Sequence, residues 1–171
     1  GGSTNMSSEP FVPAEDSKLA QYGKDFQEMK KTEAGRELLD YFNTADRNCY
    51  VRDSRGNAGA NGEETLREGL RGWTIFIDRN DVDSRKIPTT SGTDQKNSPM
   101  WVVIGHEMAH AKDYLVRGIV ACKSNWAGFY NTEKYATHME NRMRGEAGLP
   151  LRTHYDANVP ESAILLEING H

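Results

Sequence analysis

Apolar residues recur at intervals of three and four positions from Ser17 onward, which is the spacing of an amphipathic α-helix. A second helix is predicted over residues 32–42, because Thr32 is a suitable N-cap and the apolar spacing continues to Phe42. The pattern therefore predicts two short helices in succession. The apolar stripe of the first comprises Leu19, Tyr22, Phe26 and Met29.

The pattern changes to that of β-strands in the next part of the chain. Residues 48–52 predict a short strand, and residues 55–62 form a glycine-rich connection. Residues 73–78 (Trp-Thr-Ile-Phe-Ile-Asp) are dense in β-branched and aromatic side chains and give the clearest strand signal. Residues 79–98 are polar and are predicted to form a long loop.

Helical spacing returns in the second half of the chain. A long helix is predicted from Ser98, as its N-cap, to Arg117. A loop follows, and then Asn131 or Thr132 caps a last helix that ends near Gly148. The remaining tail is predicted to be extended or irregular. These elements together indicate an α+β domain with a small β-sheet.

The composition fits one domain without a broad basic surface. The chain has 171 residues and a formal net charge of −4, whereas binding to nucleic acid or to an anionic membrane surface usually needs a basic field. No apolar run has the length of a membrane span. We expect residues 17–171 to form a single domain. Residues 1–16, which start with a cloning remnant, are expected to be a disordered lead-in.

The two cysteines exclude some classes of structure. Cys49 and Cys122 lie far apart in sequence and show no Cys-x-x-Cys spacing. A cysteine-based zinc site and a disulfide-rich scaffold are therefore both excluded. Two free thiols are the favoured interpretation, and one disulfide is the alternative.

The strongest chemical signal is His106-Glu107-Met108-Ala109-His110, an HExxH motif within the long helix. Residues i and i+4 lie one turn apart on one helix face, so both imidazoles can reach a single zinc ion. Glu107 would not be a ligand but the base that takes a proton from water activated by the zinc. The alternative is a pair of ordinary helix histidines beside a solvent-facing glutamate.

A catalytic zinc site needs a third protein ligand, and the last helix offers two main candidates, with His138 and Glu146 as lesser ones. Glu133 and Glu140 lie two turns apart on one helix face. The stretch is similar to that of gluzincin-type peptidases, in which the ligand Glu precedes a small residue by three positions and a polar one by four. Ala136 and Thr137 match that spacing after Glu133. Glu133 is therefore favoured as the third ligand, and Glu140 is the alternative. If Glu133 is the ligand, Glu140 and Thr137 would orient the ligands from behind.

Several stretches of the chain match motifs of a known family. They are residues 34–39 (Ala-Gly-Arg-Glu-Leu-Leu), the HExxH motif followed by Ala111, the segment from Glu133 to Asn141, and residues 148–155 (Gly-Leu-Pro-Leu-Arg-Thr-His-Tyr). Together they resemble the effector-type zinc metallopeptidases, which include secreted effector proteases of the NleD kind and toxin domains at the ends of Rhs-type proteins. The resemblance covers residues 30–157.

The resemblance implies a zinc-dependent endopeptidase of minimal zincin fold. His106 and His110 would be ligands and Glu107 the catalytic base. Members of the family are delivered by a bacterial secretion system and act in the cytoplasm of a target cell, and some are reported to cut signalling kinases. An immunity protein is an expected partner of such a toxin domain.

Arg152 and Tyr155 are predicted to complete the catalytic site. In a tight turn, side chains three residues apart can converge. A similar Arg-x-x-Tyr pair lines the zinc site of clostridial neurotoxin proteases, where such groups face the oxyanion of the transition state. One alternative is that Arg152 lies on the surface and Tyr155 belongs to the core. Another is that Arg152 acts through Glu140 as a structural ion pair.

These signals together predict a secreted effector or toxin domain that cleaves a target-cell protein. The substrate would bind in extended conformation along strand 73–78, which we expect to be the edge of the sheet. One alternative is a regulatory zinc peptidase that acts on a bacterial partner. The other is a zinc-binding module that has lost catalysis, although the presence of Glu107 argues against it.

Overall fold

The computed structural model describes residues 20–43, 47–54, 59–67, 70–84, 87–91 and 98–156. The lead-in predicted for residues 1–16 and most of the predicted tail lie outside these ranges. The described part is a mixed α+β fold with a small sheet, as the sequence predicts. Its elements in chain order are α1 (Ala20–Met29), α2 (Glu33–Phe42), β1 (Arg47–Asp53), β2 (Ala60–Arg67), β3 (Leu70–Ile77), α3 (Arg79–Ser84), α4 (Met100–Arg117), α5 (Ile119–Cys122), β4 (Asn125–Trp126), β5 (Phe129–Tyr130) and α6 (Thr132–Glu146).

The first two helices follow the predicted stripe. Tyr22, Phe26 and Met29 of α1 are buried, whereas Ser17 and Leu19 lie outside the described residues. Thr32 caps α2, since its side-chain oxygen accepts a hydrogen bond from the backbone N–H of Gly35. The predicted helix over residues 32–42 is therefore confirmed.

The three-stranded sheet differs from the prediction. Its order is β1-β3-β2, with β1 parallel and β2 antiparallel to β3. The strand predicted at residues 73–78 is thus central, and the expectation that it forms the sheet edge is wrong. A strand this rich in buried apolar residues is typical of a position with a neighbour on both sides. In this sheet β1 and β2 are the two edge strands. The first residues of β2, Ala60 to Gly62, belong to the stretch that the sequence predicts as a glycine-rich connection.

Three further predictions are corrected by local contacts. The loop predicted from residue 79 starts with helix α3, and the loop after α4 contains α5 and the β4–β5 hairpin. Pro99, not Ser98, is the N-cap of α4, and no side chain caps that end. The hydroxyl of Ser98 instead accepts a hydrogen bond from Arg144 Nη2. Helix α6 has Asn131 as its N-cap, which is one of the two predicted caps, but its side chain makes no capping hydrogen bond.

Helix α4 lies at the centre of the fold. It packs against α1, α2, α6 and the sheet. The fully buried side chains of Leu38, Ile75, Met108 and Met143 belong to one hydrophobic core around it. Both cysteines are buried and free. No helix in the described part is long and apolar enough to cross a membrane.

Gly35, in the first turn of α2, should be essential to the close packing of α2 against the end of α1. A Cβ at this position would overlap the backbone carbonyl oxygen of Met29, which cannot move without shifting the end of α1. We expect Gly35→Ala to lower the free energy of unfolding by about 1–3 kcal/mol, measured by chemical denaturation. The matched control is Gly23→Ala in α1, where nothing lies within 4 Å of the added methyl group. That variant should be neutral or slightly stabilised, and equal loss in both variants would contradict the packing argument.

Candidate metal centre

The HExxH residues lie on one face of α4, as predicted. The His106 and His110 rings are nearly buried, and their centroids are 4.8 Å apart at an angle of 75°. Glu107 is partly exposed beside them. One potential ligand atom from each of these three residues lies within 4.8 Å of the other two. A single cation is therefore within reach of this helix face.

Glu133 joins the two histidines from α6. Its Oε1 lies 3.0 Å from His106 Nε2 and 2.9 Å from His110 Nε2. Small residues allow the two helices to approach this closely: Ala109 and Ala136 are fully buried, and a Cβ at Gly105 would overlap the end of the Met143 side chain. The side chain predicted as the favoured third ligand thus contacts both histidines.

The other nitrogen of each ring is held from behind. His106 Nδ1 lies 2.8 Å from Glu140 Oε1, and His110 Nδ1 lies 3.0 Å from Thr132 Oγ1. These contacts direct both Nε2 atoms toward the same carboxylate oxygen of Glu133. Two imidazole nitrogens and one carboxylate oxygen are the donor set of many catalytic zinc sites, and hydrogen-bonded partners behind the ligands are typical of them. The residues present therefore fit a zinc ion.

Both carboxylate oxygens of Glu140 are engaged in hydrogen bonds. Besides His106, its carboxylate accepts hydrogen bonds from Arg144 Nε and Arg152 Nη1, each at 2.8 Å. Burial alone would raise the pKa of Glu140, but Arg152, His106 and Arg144 outweigh it and hold that pKa well below its usual range. The carboxylate stays charged and supports His106 from behind. Glu133, unlike Glu140, has a carboxylate oxygen that contacts the Nε2 atoms of both histidines.

The charges of the cluster are strongly coupled. Burial opposes ionisation of both Glu133 and His106, but their mutual contacts dominate. The histidines hold the pKa of Glu133 well below its usual range, and hydrogen bonds that His106 donates to Glu133 and Glu140 raise the pKa of His106 to about 10. A proton on His106 and a divalent cation would compete to neutralise the same carboxylate, that of Glu133. Metal affinity should therefore fall as the solution becomes more acidic.

Tyr155 lies at the centre, whereas Arg152 lies behind it. The Tyr155 hydroxyl donates to Glu133 Oε2 at 3.0 Å, and its ring is nearly parallel to that of His106. Burial and the charge of Glu133 raise the pKa of Tyr155 well above its usual range, so the phenol keeps its proton. Arg152 donates to Glu140, to the His154 carbonyl and to the Tyr155 carbonyl. The alternative interpretation of Arg152, an ion pair with Glu140, matches these contacts.

Thr137 does not contact the centre through a hydrogen bond. Its side chain is fully buried in α6, and its hydroxyl has no hydrogen-bond partner in the described part of the chain. Sequence reasoning missed two residues that do make such contacts. Thr132 was interpreted only as a helix cap, and Arg144 was not singled out, although its position four residues after Glu140 is an ion-pair spacing.

The centre opens into a cleft of about 400 Å³. Its lining includes Ala60, Asn61 and Gly62 of β2, an edge strand of the sheet. Phe129 and Tyr130 of the short hairpin also line the cleft. So do Trp73 and Tyr114, whose rings stack with centroids 5.2 Å apart. The cleft is therefore bounded by a strand edge, aromatic rings and the candidate metal ligands.

Comparison with known protein families gives a match over most of the chain. The model of the M91 peptidase family, which is described as a family of effector proteins, matches residues 19–155. The match includes every residue of the centre described above. No curated protein and no solved structure matches the chain.

Proposed function

The chain belongs to the M91 peptidase family of effector proteins, and on that basis we propose that it is a zinc-dependent endopeptidase. The observation that carries the proposal is the meeting of His106 Nε2, His110 Nε2 and Glu133 Oε1 within 3.0 Å at the wall of an open cleft. Glu107 lines the same cleft. A structural zinc site normally has four protein ligands and no need of such a carboxylate.

Glu107 is proposed as the general base. When bound, zinc would polarise the scissile carbonyl group and lower the pKa of the attacking water. The carboxylate of Glu107 accepts a proton from that water while the water oxygen bonds to the carbonyl carbon. The same proton then passes to the amide nitrogen as the carbon–nitrogen bond breaks, so the base is regenerated.

Tyr155 is proposed as the donor to the developing oxyanion. Its hydroxyl keeps its proton, and it contacts Glu133 at the edge of the cleft. A small rotation of the phenol would exchange the carboxylate for the carbonyl oxygen of a substrate, where negative charge grows only in the transition state. Arg152 acts indirectly, because it binds the Tyr155 carbonyl and so positions this segment.

The substrate is proposed to be a protein segment in extended conformation that pairs with β2. This strand is at the sheet edge, and Ala60, Asn61 and Gly62 line the cleft. An edge strand offers unpaired backbone groups to an added strand. The sequence-based version of this proposal used residues 73–78, which the sheet order excludes.

The family description supports a proposal about the biological setting. We propose that the protein is a bacterial effector or toxin domain, secreted into a target cell, where it cleaves a cytoplasmic protein. An immunity protein would then protect the producing cell. No contact among the described residues favours a regulatory peptidase over an effector or toxin domain. The position of Glu107 in the cleft argues against an inactive zinc-binding module.

The proposed function is tested by identifying new protein N-termini in cell lysates. Eukaryotic and bacterial lysates are incubated with the zinc-loaded wild-type protein, with the Glu107→Gln variant, or with wild type plus a chelator. New N-termini are expected with the wild type alone, and the lysate that contains them indicates the target cell. Identical sets of N-termini in all three samples of both lysates would overturn the peptidase assignment.

Tyr155→Phe is expected to lower kcat about 10- to 1,000-fold, the range for loss of one oxyanion donor. The substitution removes the hydroxyl that donates to Glu133 but keeps the ring packing against His106 and Phe129. Zinc content and thermal stability should stay close to those of the wild type. Steady-state kinetics on a peptide from the cleavage site measures the effect, and unchanged kcat would assign Tyr155 to packing alone.

A further inference from the structure

Arg144 is a buried charged residue outside the cleft. It is 3 % exposed, and it is not among the described residues that line the cleft. Its guanidinium group donates hydrogen bonds to three parts of the chain. The acceptors are Glu140 Oε2 on α6 at 2.8 Å, the Pro150 carbonyl oxygen after α6 at 3.1 Å, and the Ser98 hydroxyl before α4. A buried charge is costly unless it is paired, so this arrangement needs an explanation.

Each of these contacts uses a different nitrogen of the guanidinium group. Nε donates to Glu140, Nη1 donates to Pro150, and Nη2 donates to Ser98. Because the group is planar and rigid, hydrogen bonds from three of its nitrogens fix the relative positions of the partners. One side chain thus joins α6 to the chain on either side of the metal centre. A lysine would carry the same charge, but its single nitrogen cannot reproduce this fork of donors.

Arg144 also determines how the Glu140 carboxylate is shared. It binds Oε2, whereas Oε1 contacts both His106 Nδ1 and Arg152 Nη1 at 2.8 Å. A carboxylate that is held at one oxygen has little freedom to rotate, so its other oxygen stays directed at the histidine ring. We propose that Arg144 is a positioning residue of the zinc site, which orients Glu140 so that His106 keeps Nδ1 protonated and Nε2 free for the metal. The inference rests on the proposed zinc site, but not on the substrate or the hydrolysis.

The two arginines that contact Glu140 thereby differ in what they do. Arg152 binds the same oxygen as His106 and lines the cleft. Arg144 binds the other oxygen and continues to Ser98, which lies two residues before the first residue of α4. Since α4 carries His106, this contact ties the carboxylate to the helix whose ligand it supports. Arg152 adds positive charge, whereas Arg144 fixes the direction of the carboxylate relative to α4.

Arg144→Lys tests the proposal, because it keeps the charge but removes the planar set of donors. Its Kd for zinc, measured by competition with a chromophoric chelator, should rise about 10- to 100-fold, the usual effect of losing a partner behind a metal ligand. Arg142→Lys is the matched control. It makes the same change two residues earlier on α6, at a partly exposed arginine that pairs with Glu33 and Glu37 of α2, so its Kd should not change.

A proton NMR signal provides a second readout that does not depend on activity. In the zinc-loaded wild type, the His106 Nδ1–H should be visible and protected from exchange with water, because it is buried against Glu140. In Arg144→Lys that protection should be reduced while circular dichroism shows a folded chain. A merely structural role of Arg144 would lower the free energy of unfolding and leave both the Kd and the protection unchanged. That result would overturn the proposal.

Ser98→Ala is a milder test that applies even if Arg144→Lys does not fold. It removes one hydrogen bond and leaves no charge unpaired, since Arg144 keeps its contact with Glu140. Its Kd for zinc should rise about 2- to 10-fold, the usual effect of one hydrogen bond. If Arg144→Lys does not fold, an unchanged Kd in Ser98→Ala would overturn the proposal. Zinc binding without cleavage in the wild type would instead overturn the proposed function and leave this inference intact.

Discussion

Glu107→Gln is expected to lower kcat by about 100- to 10,000-fold, the usual contribution of a general base, while zinc binding is retained. The amide has nearly the same shape as the carboxylate but cannot accept the proton of the attacking water. Retention of zinc follows from the contacts, since the atoms that meet between α4 and α6 belong to His106, His110 and Glu133. Steady-state kinetics and metal analysis on the same preparation measure both quantities.

A surface glutamate provides the control for this change in charge. Glu28 is exposed and pairs with Lys31. Both lie far from the HExxH motif in sequence, so Glu28→Gln should keep full activity. If Glu107→Gln instead loses zinc, Glu107 would have to be counted among the ligands, which its atoms are close enough to permit. Wild-type turnover in Glu107→Gln would show that another group serves as the base.

The helices of the centre could be predicted because their signals are local. A helix positions residues i and i+4 on one face whatever surrounds it, so the geometry of His106 and His110 follows from their spacing. Glu133 could be favoured over Glu140 from local sequence as well, because Ala136 and Thr137 follow it at the spacing seen in gluzincin-type peptidases. The pairing of α4 with α6 was needed to show that this carboxylate contacts both rings.

The sheet and the supporting contacts could not be predicted, because they depend on distant parts of the chain. The sequence of residues 73–78 suits a central strand as well as an edge strand. Only the pairing with β1 and β2 decides between the two positions. Ser98 has the usual chemistry of a helix cap, but a hydrogen bond from Arg144 uses its hydroxyl. The link from Thr132 to His110 spans 22 positions and leaves no periodic signal.

Glu133→Ala is expected to weaken zinc binding by more than the roughly 10- to 100-fold typical of losing an outer partner. The variant removes the oxygen that contacts both Nε2 atoms, so a cation would keep two protein ligands instead of three. The folded chain without zinc should tolerate the change, because no arginine contacts Glu133 in the described part of the chain. Chelator competition measures the affinity.

Glu140→Ala should show the opposite balance, and this contrast distinguishes the two carboxylates. Its removal leaves the guanidinium groups of Arg144 and Arg152 without the buried carboxylate that both contact. Breaking a buried ion pair from one side typically costs about 3–5 kcal/mol, so the unfolding free energy of the metal-free variant should fall by that order. Its zinc affinity should fall less than that of Glu133→Ala, since His106 loses only the group behind it. A ranking in which Glu140→Ala loses zinc and Glu133→Ala loses stability would move the third ligand to Glu140.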